Sequence, residues 1–260
     1  MKRFGFKLFN IFISLIGVSK AKKLLWASLD KVMRKTYPRV NGGTGYEEFC
    51  WKKIACNFNK PNIIDVGANH GRLSDFYLSI FSGAKVYAVE PIKEFFDKID
   101  DSRLTKFNLA LSNKETTLTL YQSGRGSKPF PKNTKGKRTG EFKVRALPGD
   151  DFVKEFQINK VDIIKIDTEG FDFEVLQGFK QVIKNEKPFI QFELSKWWLK
   201  MGYTLKQAID MFEELNYDLY YMTDKGFKNF SFELPDSLFV TMNIFAKPKD
   251  SKLENFETID

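Results

Sequence analysis

The chain has 260 residues, of which 42% are hydrophobic. This composition is sufficient to bury the core of one large domain, and it excludes a disordered protein. His70 is the single histidine, so the sequence disfavours a multi-histidine metal site and a Ser-His-Asp triad. The whole net charge of +9 lies in residues 1–40, because that segment carries ten Lys or Arg against one acidic residue.

Residues 1–45 are predicted to form a basic, amphipathic helical extension. In the stretch MKRFGFKLFNIFISLIGV, polar and small residues share one narrow helical stripe, and Phe, Leu and Ile occupy the rest of the circumference. The apolar stretch is too short to span a bilayer. We therefore expect a cytoplasmic protein whose extension lies on an anionic membrane surface.

Two alternatives stay open for this extension. A basic start, an apolar run and the triplet SKA ending at Ala21 are similar to a cleavable signal peptide. A helix packed on the following domain or on a partner subunit also fits the pattern, and the oligomeric state stays open with it.

Short apolar runs alternate with amphipathic stretches from residue 46 to residue 248, which predicts one domain with a parallel sheet and helices on both faces. A further strand pair, TTLTLYQ and EFKVRAL, is predicted around a basic loop at 123–140. Residues 249–260 are predicted to be a polar tail that frays. The predicted strands of the sheet are 62–66, 84–89, 105–110, 161–166, 189–193, 217–222 and 239–246.

The two cysteines, Cys50 and Cys56, have neither a metal-ligand spacing nor a redox-motif spacing. We expect both to be core thiols of a protein in a reducing compartment.

The first predicted strand runs into a glycine-rich turn and then a helix in the stretch IIDVGANHGRLSDFYL. A ligand can approach bare backbone at such a turn and meet N–H groups at the helix start. Gly67 and Gly71, with Asn69 between them, depart from the GxGxxG spacing of a dinucleotide site. Asp65 precedes the turn, and Glu90 ends the next strand, where it is well placed for ribose hydroxyls. Together these residues predict a nucleoside site.

Three acids, Asp167, Glu169 and Asp172, follow the fourth predicted strand in VDIIKIDTEGFDFEVLQGF, and Glu193 ends the fifth strand. Ligands of open α/β sheets lie beyond the carboxyl ends of the strands, so Asp167, Glu169 and Glu193 are expected to face the crevice of the nucleoside site. Asp172 is expected on the outer first turn of the next helix, where an acid complements the helix dipole. Lys165, within the strand, is expected either to form a salt bridge with a neighbouring acid or to contact a substrate.

The segments IIDVGANHG, YAVEP, FNLALSN, VDIIKIDTEGFDFEVLQG and FIQFEL occur in an order and spacing that resemble FkbM-type S-adenosylmethionine-dependent methyltransferases. The resemblance covers roughly residues 60 to 246. It implies an α/β, Rossmann-like class I methyltransferase fold, with a mostly parallel seven-stranded sheet and an antiparallel last strand. It also implies S-adenosylmethionine as the cofactor and methyl transfer to a hydroxyl oxygen, commonly on a sugar or a glycosylated metabolite.

The resemblance also implies roles for the residues of the first site. Glu90 would bind the ribose of the donor, and the region around Asn108 would bind the adenine. The methionine part of the donor would be held by Asp65, Gly67, Asn69 and Gly71.

The acids have a use in such a transfer, because a carboxylate can orient a hydroxyl and accept its proton as the oxygen attacks the sulfonium methyl. Asp167, Glu169 and Glu193 are therefore candidate catalytic residues, and His70, beside the donor loop, is an alternative base. The same three acids could bind Mg²⁺. We favour transfer without a metal, since the spacing fixes no further acid near this set.

The acceptor is expected to be a small molecule or a glycan. The basic loop at 123–140 could clamp a phosphorylated, nucleotide-linked or uronic-acid glycan, or it could be a solvated, mobile loop. Trp197 and Trp198 could stack on a sugar face, and one of the two is expected in the core.

A nucleic acid is disfavoured, because the chain has no NPPY-like motif and no recognisable RNA-binding module. A non-catalytic scaffold that keeps the fold is the remaining alternative.

Overall fold

The computed structural model describes residues 45–123, 126–128, 140–195, 197–230 and 242–259, and the structural statements below concern these residues. All but the last residue of the predicted helical extension 1–45 lie outside this set, as does most of the basic loop at 123–140.

The described elements alternate between strands and helices over most of the chain. In chain order they are α1 (Tyr46–Ile54), a 3-10 helix (Ala55–Asn57), β1 (Asn62–Val66), α2 (Arg72–Ile80), β2 (Lys85–Val89), α3 (Lys93–Phe96), β3 (Thr105–Phe107), β4 (Ala110–Ser112), β5 (Thr116–Ser123), β6 (Gly126–Lys128), β7 (Gly140–Pro148), α4 (Gly149–Glu155), β8 (Ile163–Ile166), α5 (Asp172–Gly178), α6 (Lys180–Glu186), β9 (Phe189–Leu194), α7 (Trp197–Lys200), α8 (Leu205–Glu214), β10 (Tyr217–Thr223), β11 (Gly226–Asn229), β12 (Met242–Pro248) and β13 (Thr258–Ile259).

One central sheet has the strand order β13-β11-β10-β12-β9-β8-β1-β2-β3. Strands β3, β2, β1, β8 and β9 are parallel, whereas β12 runs antiparallel to both β9 and β10. The predicted α/β fold with an antiparallel last strand is therefore confirmed. The sheet is wider than the seven predicted strands, because β11 and β13 add to the β10 edge.

The central strands are built from β-branched residues that are buried on both faces. Ile63 and Ile64 of β1 pair in register with Ile163 and Ile164 of β8, and all four side chains are buried. Such continuous apolar runs are typical of parallel strands covered by helices on both sides. This packing places the carboxyl ends of β1, β2, β8 and β9 along one edge.

A second, four-stranded sheet has the order β4-β7-β5-β6. Strands β5 and β7 are antiparallel, as predicted for TTLTLYQ and EFKVRAL. Strand β4 adds to β7 in parallel, and β6 adds to β5 as a short antiparallel strand.

Helix α1 is anchored on the central sheet by its apolar face, where Cys50, Trp51 and Ile54 are fully buried. The Trp51 ring meets the rings of Tyr77 and Phe245 edge-on, at centroid distances of 5.9 Å and 5.4 Å. Such aromatic pairs stabilise a core beyond the area they bury. The start of α1 is thereby fixed near the carboxyl edge of the sheet.

Two expectations differ from the structure. Cys50 is buried as predicted, but Cys56 is exposed, because it lies in the 3-10 turn that leads away from the core. The segment predicted as a fraying tail is packed: the Phe256 ring lies 4.6 Å from the Phe227 ring, and β13 pairs with β11. Phe256 is the apolar contact that the polar composition of this segment obscured.

None of the described helices is long and apolar enough to cross a lipid bilayer.

Candidate active site

The carboxyl edge of the central sheet contains a cleft that is partly open to solvent. Clefts at this edge are the usual ligand sites of open α/β sheets. The cleft is lined by Val66, Gly67, Asn69, Val89, Glu90, Pro91, Phe95, Ala110, Leu111, Leu118, Leu120, Asp167, Thr168, Glu169 and Phe171. Five of the ten candidate site residues are in this set: Gly67, Asn69, Glu90, Asp167 and Glu169.

The turn after β1 passes very close to the loop after β8. A Cβ atom at Gly67 would lie 1.9 Å from the backbone oxygen of Asp167, and the Gly67 φ angle is +76°. Both the contact and the left-handed backbone require glycine at this position. The two loops that carry the predicted site residues therefore form one continuous wall of the cleft.

Asp65 and Lys165 form a buried ion pair beneath this turn. The Lys165 Nζ lies 2.9 Å from the Asp65 Oδ1, and the Ser74 hydroxyl donates to the other carboxylate oxygen at 2.6 Å. Lys165 Nζ also donates to the Gly67 carbonyl at 2.9 Å. Lys165 thus forms the salt bridge that was one of its two expected roles. Asp65 does not line the cleft, and it contacts Lys165, which in turn holds the Gly67 turn.

Burial by itself lowers the pKa of Lys165, but the neighbouring carboxylates of Asp65 and Asp167 outweigh burial and raise it. The lysine is therefore a fixed positive charge behind the cleft.

Glu90 directly follows β2 and lines the cleft. One carboxylate oxygen accepts the Asn69 N–H at 2.9 Å, and the other accepts the Ile92 N–H at 2.8 Å. The carboxylate is 4% exposed, and burial raises its pKa. Its orientation is therefore fixed by backbone N–H groups on both sides.

Asn108 lies next to this wall but does not line the cleft. Its exposed side-chain amide donates to the carbonyls of Glu90 and Pro91, at 2.9 Å and 3.0 Å. Asn108 therefore connects the turn after β2 to the segment that directly follows β3. Gly71 also lies outside the cleft, at the start of α2, where its φ angle is +83°.

An apolar wall completes this side of the cleft. The sequence prediction included the region around Asn108, but it missed Leu118 and Leu120. Ala110 and Leu111 come from β4, and Leu118 and Leu120 come from β5, so the second sheet closes this side of the cleft. The alternation of Leu118 and Leu120 with threonines in TTLTLYQ was the available signal, since it predicts one apolar strand face. A flat apolar wall suits the face of a nucleobase.

The loop after β8 holds the two principal acids, Asp167 and Glu169. Glu169 has a left-handed backbone with a φ angle of +57°, which costs energy for a residue other than glycine. Asp172 holds the loop in this shape, because its carboxylate accepts the N–H groups of Thr168 and Gly170, both at 3.1 Å.

The prediction for Asp172 was wrong in one respect. It begins α5 as expected, but its side chain is fully buried instead of lying on the outer face. Burial and the charge of Asp167 raise its pKa to about 7, against the hydrogen bonds from the backbone.

The environment of Asp167 raises its pKa as well. Burial is the main cause, the charges of Glu169 and Asp65 act in the same direction, and Lys165 opposes them. A carboxyl group with a raised pKa is a stronger proton acceptor once it is ionised.

Glu193 and His70 lie outside the residues that line the cleft. Glu193 is half-buried at the end of β9, opposite Asn243 of β12 in the strand register. His70 is exposed, and its ring meets the Phe95 ring edge-on at 5.0 Å. The structure therefore does not bring His70 together with the acids.

Of the two tryptophans, Trp198 is in the core, as expected for one of the pair, and is 1% exposed. Trp197 is half-exposed beside the acidic loop, where a Cβ atom added at Gly170 would lie 2.7 Å from the Trp197 Cβ.

Sequence reasoning missed Tyr46 and Glu47 at the start of α1. Asn243 of β12 donates to the Tyr46 hydroxyl at 2.5 Å and to the Glu47 carboxylate at 2.6 Å. No single-sequence signal indicated that this helix start returns to the carboxyl edge, because the contact depends on the tertiary packing of Trp51.

Among the described residues, no three His, Cys, Asp or Glu side chains are arranged to hold a metal ion.

Comparison with known proteins identifies two curated relatives with low identity. Hexuronic acid methyltransferase AglP of Haloferax volcanii is 26% identical over 130 residues, which cover 46% of this chain and 51% of that protein. The 2-O-methyltransferase NoeI of Sinorhizobium fredii is 25% identical over 182 residues, which cover 61% of this chain and 74% of that protein. The chain thus spans about half the length of AglP.

Among solved structures, a methyltransferase FkbM from Methylobacillus flagellatus is similar, with a TM-score of 0.46 and 15% identity. The match covers 72% of this chain and 44% of that chain.

A family model described as the Methyltransferase FkbM domain matches residues 65–219. This range includes β1, β2, β8 and β9 and the loops that line the cleft. The sheet order and the family match together confirm the Rossmann-like class I methyltransferase fold. Because the match covers more than half of the 260 residues, the chain belongs to the FkbM methyltransferase domain family.

Proposed function

We propose that the protein transfers a methyl group from S-adenosylmethionine to a hydroxyl oxygen of a sugar or a glycosylated metabolite. One observation carries this proposal: the glycine turn at Gly67, the fixed carboxylate of Glu90 and the acids Asp167 and Glu169 all line the same cleft.

The donor side of the cleft fits a nucleoside. Each oxygen of Glu90 accepts one backbone N–H, and a carboxylate oxygen has a second lone pair that a ribose hydroxyl can use. The apolar side chains Leu118 and Leu120 provide a surface for the base. Gly67 allows the ligand to approach the backbone, and Asp65 supports this turn through Lys165.

The acidic loop supplies the acid–base part of the reaction. S-adenosylmethionine, when bound, supplies a methyl group that is electrophilic because it is bonded to a sulfonium sulfur. Asp167 would orient the acceptor hydroxyl and take its proton as the new O–C bond forms and the sulfur–methyl bond breaks, with S-adenosylhomocysteine as the leaving group, and Glu169 contributes negative charge beside it. Asp172 keeps both carboxylates in place through the N–H groups of Thr168 and Gly170.

The names of the two relatives support the acceptor class. AglP is named for a hexuronic acid, and NoeI is named for 2-O-methylation. Together they favour a hydroxyl oxygen on a sugar as the position that receives the methyl group.

Isothermal calorimetry with S-adenosylmethionine tests the donor half of the proposal. The wild-type protein is expected to bind, and Glu90→Gln is expected to bind about ten- to a hundredfold more weakly, since hydrogen bonds to a charged acceptor are lost. Glu94→Gln, which removes an exposed acid of α3 paired with Lys98, serves as the control and should leave the affinity unchanged. Absence of binding at millimolar donor would contradict the proposal and favour a non-catalytic scaffold.

The acceptor half is tested on methyl glycosides of glucose, mannose, fucose and glucuronic acid with S-adenosylmethionine. Mass spectrometry of the products should show the addition of one methyl group to at least one glycoside.

A further inference from the structure

A second polar group lies across Asp167 from the donor side of the cleft. The donor side is formed by β1, β2 and the second sheet, whereas the residues that hold the start of α1 come from β9 and β12. In the sheet order these two strands lie beyond β8 from β1. Asp167, at the end of β8, therefore separates a donor side from a second side at the same edge.

Glu47, at the start of α1, is an acid on this second side. Its carboxylate accepts the Asn243 side-chain amide at 2.6 Å, and Gln191 also hydrogen-bonds to it. Gln191 is in turn fixed by the Trp51 indole N–H, at 2.6 Å. These hydrogen bonds fix the Glu47 carboxylate in place. The side chain is 16% exposed, so it remains accessible to a ligand.

The strand register brings the two acids to neighbouring strand ends, because Asn243, which holds Glu47, pairs with Glu193 of β9, and β9 lies beside β8, which Asp167 follows. Burial raises the pKa of Glu47, the charge of Asp167 raises it further, and Lys165 and Arg72 oppose the increase. Two carboxylates held side by side repel each other, so a ligand that donates hydrogen bonds to both would relieve the repulsion. Adjacent hydroxyls of a sugar are such donors.

A separate observation at Thr168 indicates a polar ligand in the cleft. The Thr168 Oγ1 is buried and has no hydrogen-bond partner among the described residues, and Thr168 lines the cleft directly after Asp167. A buried hydroxyl without a partner is costly, and a bound hydroxyl group can satisfy it.

We propose that Glu47 is a specificity-determining residue of the acceptor site, where it accepts a hydrogen bond from a sugar hydroxyl next to the hydroxyl that Asp167 orients. The acceptor is thereby a sugar with two adjacent free hydroxyls. This inference rests on the proposed function. It assigns to α1, which precedes the family match, the second half of the acceptor site.

Steady-state kinetics on the methylated glycoside of the panel test this role. Glu47→Gln should raise the acceptor KM about ten- to a hundredfold with kcat near wild type, since the hydrogen bond is made in both the ground state and the transition state. The affinity for S-adenosylmethionine should stay at the wild-type value. Asn243→Ala, which frees the carboxylate, should raise the KM in the same direction.

Glu48→Gln is the matched control. It removes the same charge one position along α1, from a side chain that pairs with Arg72, whose other guanidinium nitrogen lies 4.0 Å from the Glu47 carboxylate. The acceptor KM of this variant should equal that of the wild-type protein.

A monodeoxy analogue of the glycoside, lacking the hydroxyl next to the methylated position, completes a double-mutant cycle. The wild-type KM should rise on this analogue to the value of Glu47→Gln, and the substitution should have no further effect. An equal effect of Glu47→Gln on both glycosides, an unchanged KM, or a parallel loss of donor binding would each overturn the role of Glu47. If the wild-type protein binds the donor but methylates no glycoside, the proposed function is overturned together with this inference.

Discussion

The buried carboxylate of Asp172 is expected to make folding stability depend on pH. Its pKa is about 7 in the folded protein, against an ordinary value of 3.8. Because the pKa is raised on folding, the stability that the group contributes is complete below pH 4 and is lost as the pH rises through 7. At 1.36 kcal/mol per pH unit this difference corresponds to about 4 kcal/mol.

The substitution Asp172→Asn isolates this contribution. A protonated aspartic acid and an asparagine are both neutral and have similar shape, so the two proteins should have similar stability near pH 4. At pH 8 the wild-type protein buries a charge and the variant does not. The variant is then expected to be more stable by up to about 4 kcal/mol. Its activity should fall, since one of the N–H groups of Thr168 and Gly170 loses its acceptor.

Urea unfolding monitored by tryptophan fluorescence at pH 4 to 8 measures the difference between the two proteins. Other acids titrate in both, and their contributions cancel in the difference except where they interact with Asp172. Asp97→Asn, which removes an exposed acid paired with Lys93, provides the control for the loss of one carboxylate at the surface. A pH-independent difference for Asp172→Asn, or a variant that is less stable at pH 8, would refute the reasoning.

Three further results are expected. Gly67→Ala should destabilise the protein by more than 1 kcal/mol and reduce donor affinity, measured by urea unfolding and calorimetry, because its Cβ would meet the backbone oxygen of Asp167 at 1.9 Å. Glu169→Gln should lower kcat while the donor affinity stays near wild type, and equal losses in both would make it a binding residue. Removal of residues 1–40 should abolish co-sedimentation with anionic liposomes, and wild-type protein that stays in the supernatant would contradict membrane attachment.

Much of the fold could be predicted from the sequence because its signals are local. Runs of buried isoleucine indicate the central strands. A glycine or an acid directly after an apolar run indicates the end of a strand, as at Gly67 and Glu90. The parallel order of the sheet then brings these ends together. The edge strands β11 and β13 were not predicted, since GFKN and the segment around Phe256 contain too few apolar residues to give a period.

The missed parts of the candidate site depend on contacts between distant residues. Glu47 reaches the carboxyl edge of the sheet because Trp51 packs into the core and Asn243 lies beside β9, and neither fact has a local signature. Asp172 follows a helix-start pattern that is normally exposed. Its side chain is buried because its carboxylate accepts hydrogen bonds from two backbone N–H groups of the strained loop. Such a departure from a local rule is typical of functional loops.

The central claim is that Asp167 serves methyl transfer to a sugar hydroxyl in the cleft that holds the donor. The most direct measurement incubates the protein with isotopically labelled S-adenosylmethionine and the methyl glycosides, and locates the label in the product by NMR. We predict a labelled O-methyl group on a ring hydroxyl, and Asp167→Asn should lose turnover while it still binds the donor. Label on a carboxylate or a nitrogen, or full turnover by Asp167→Asn, would contradict the account.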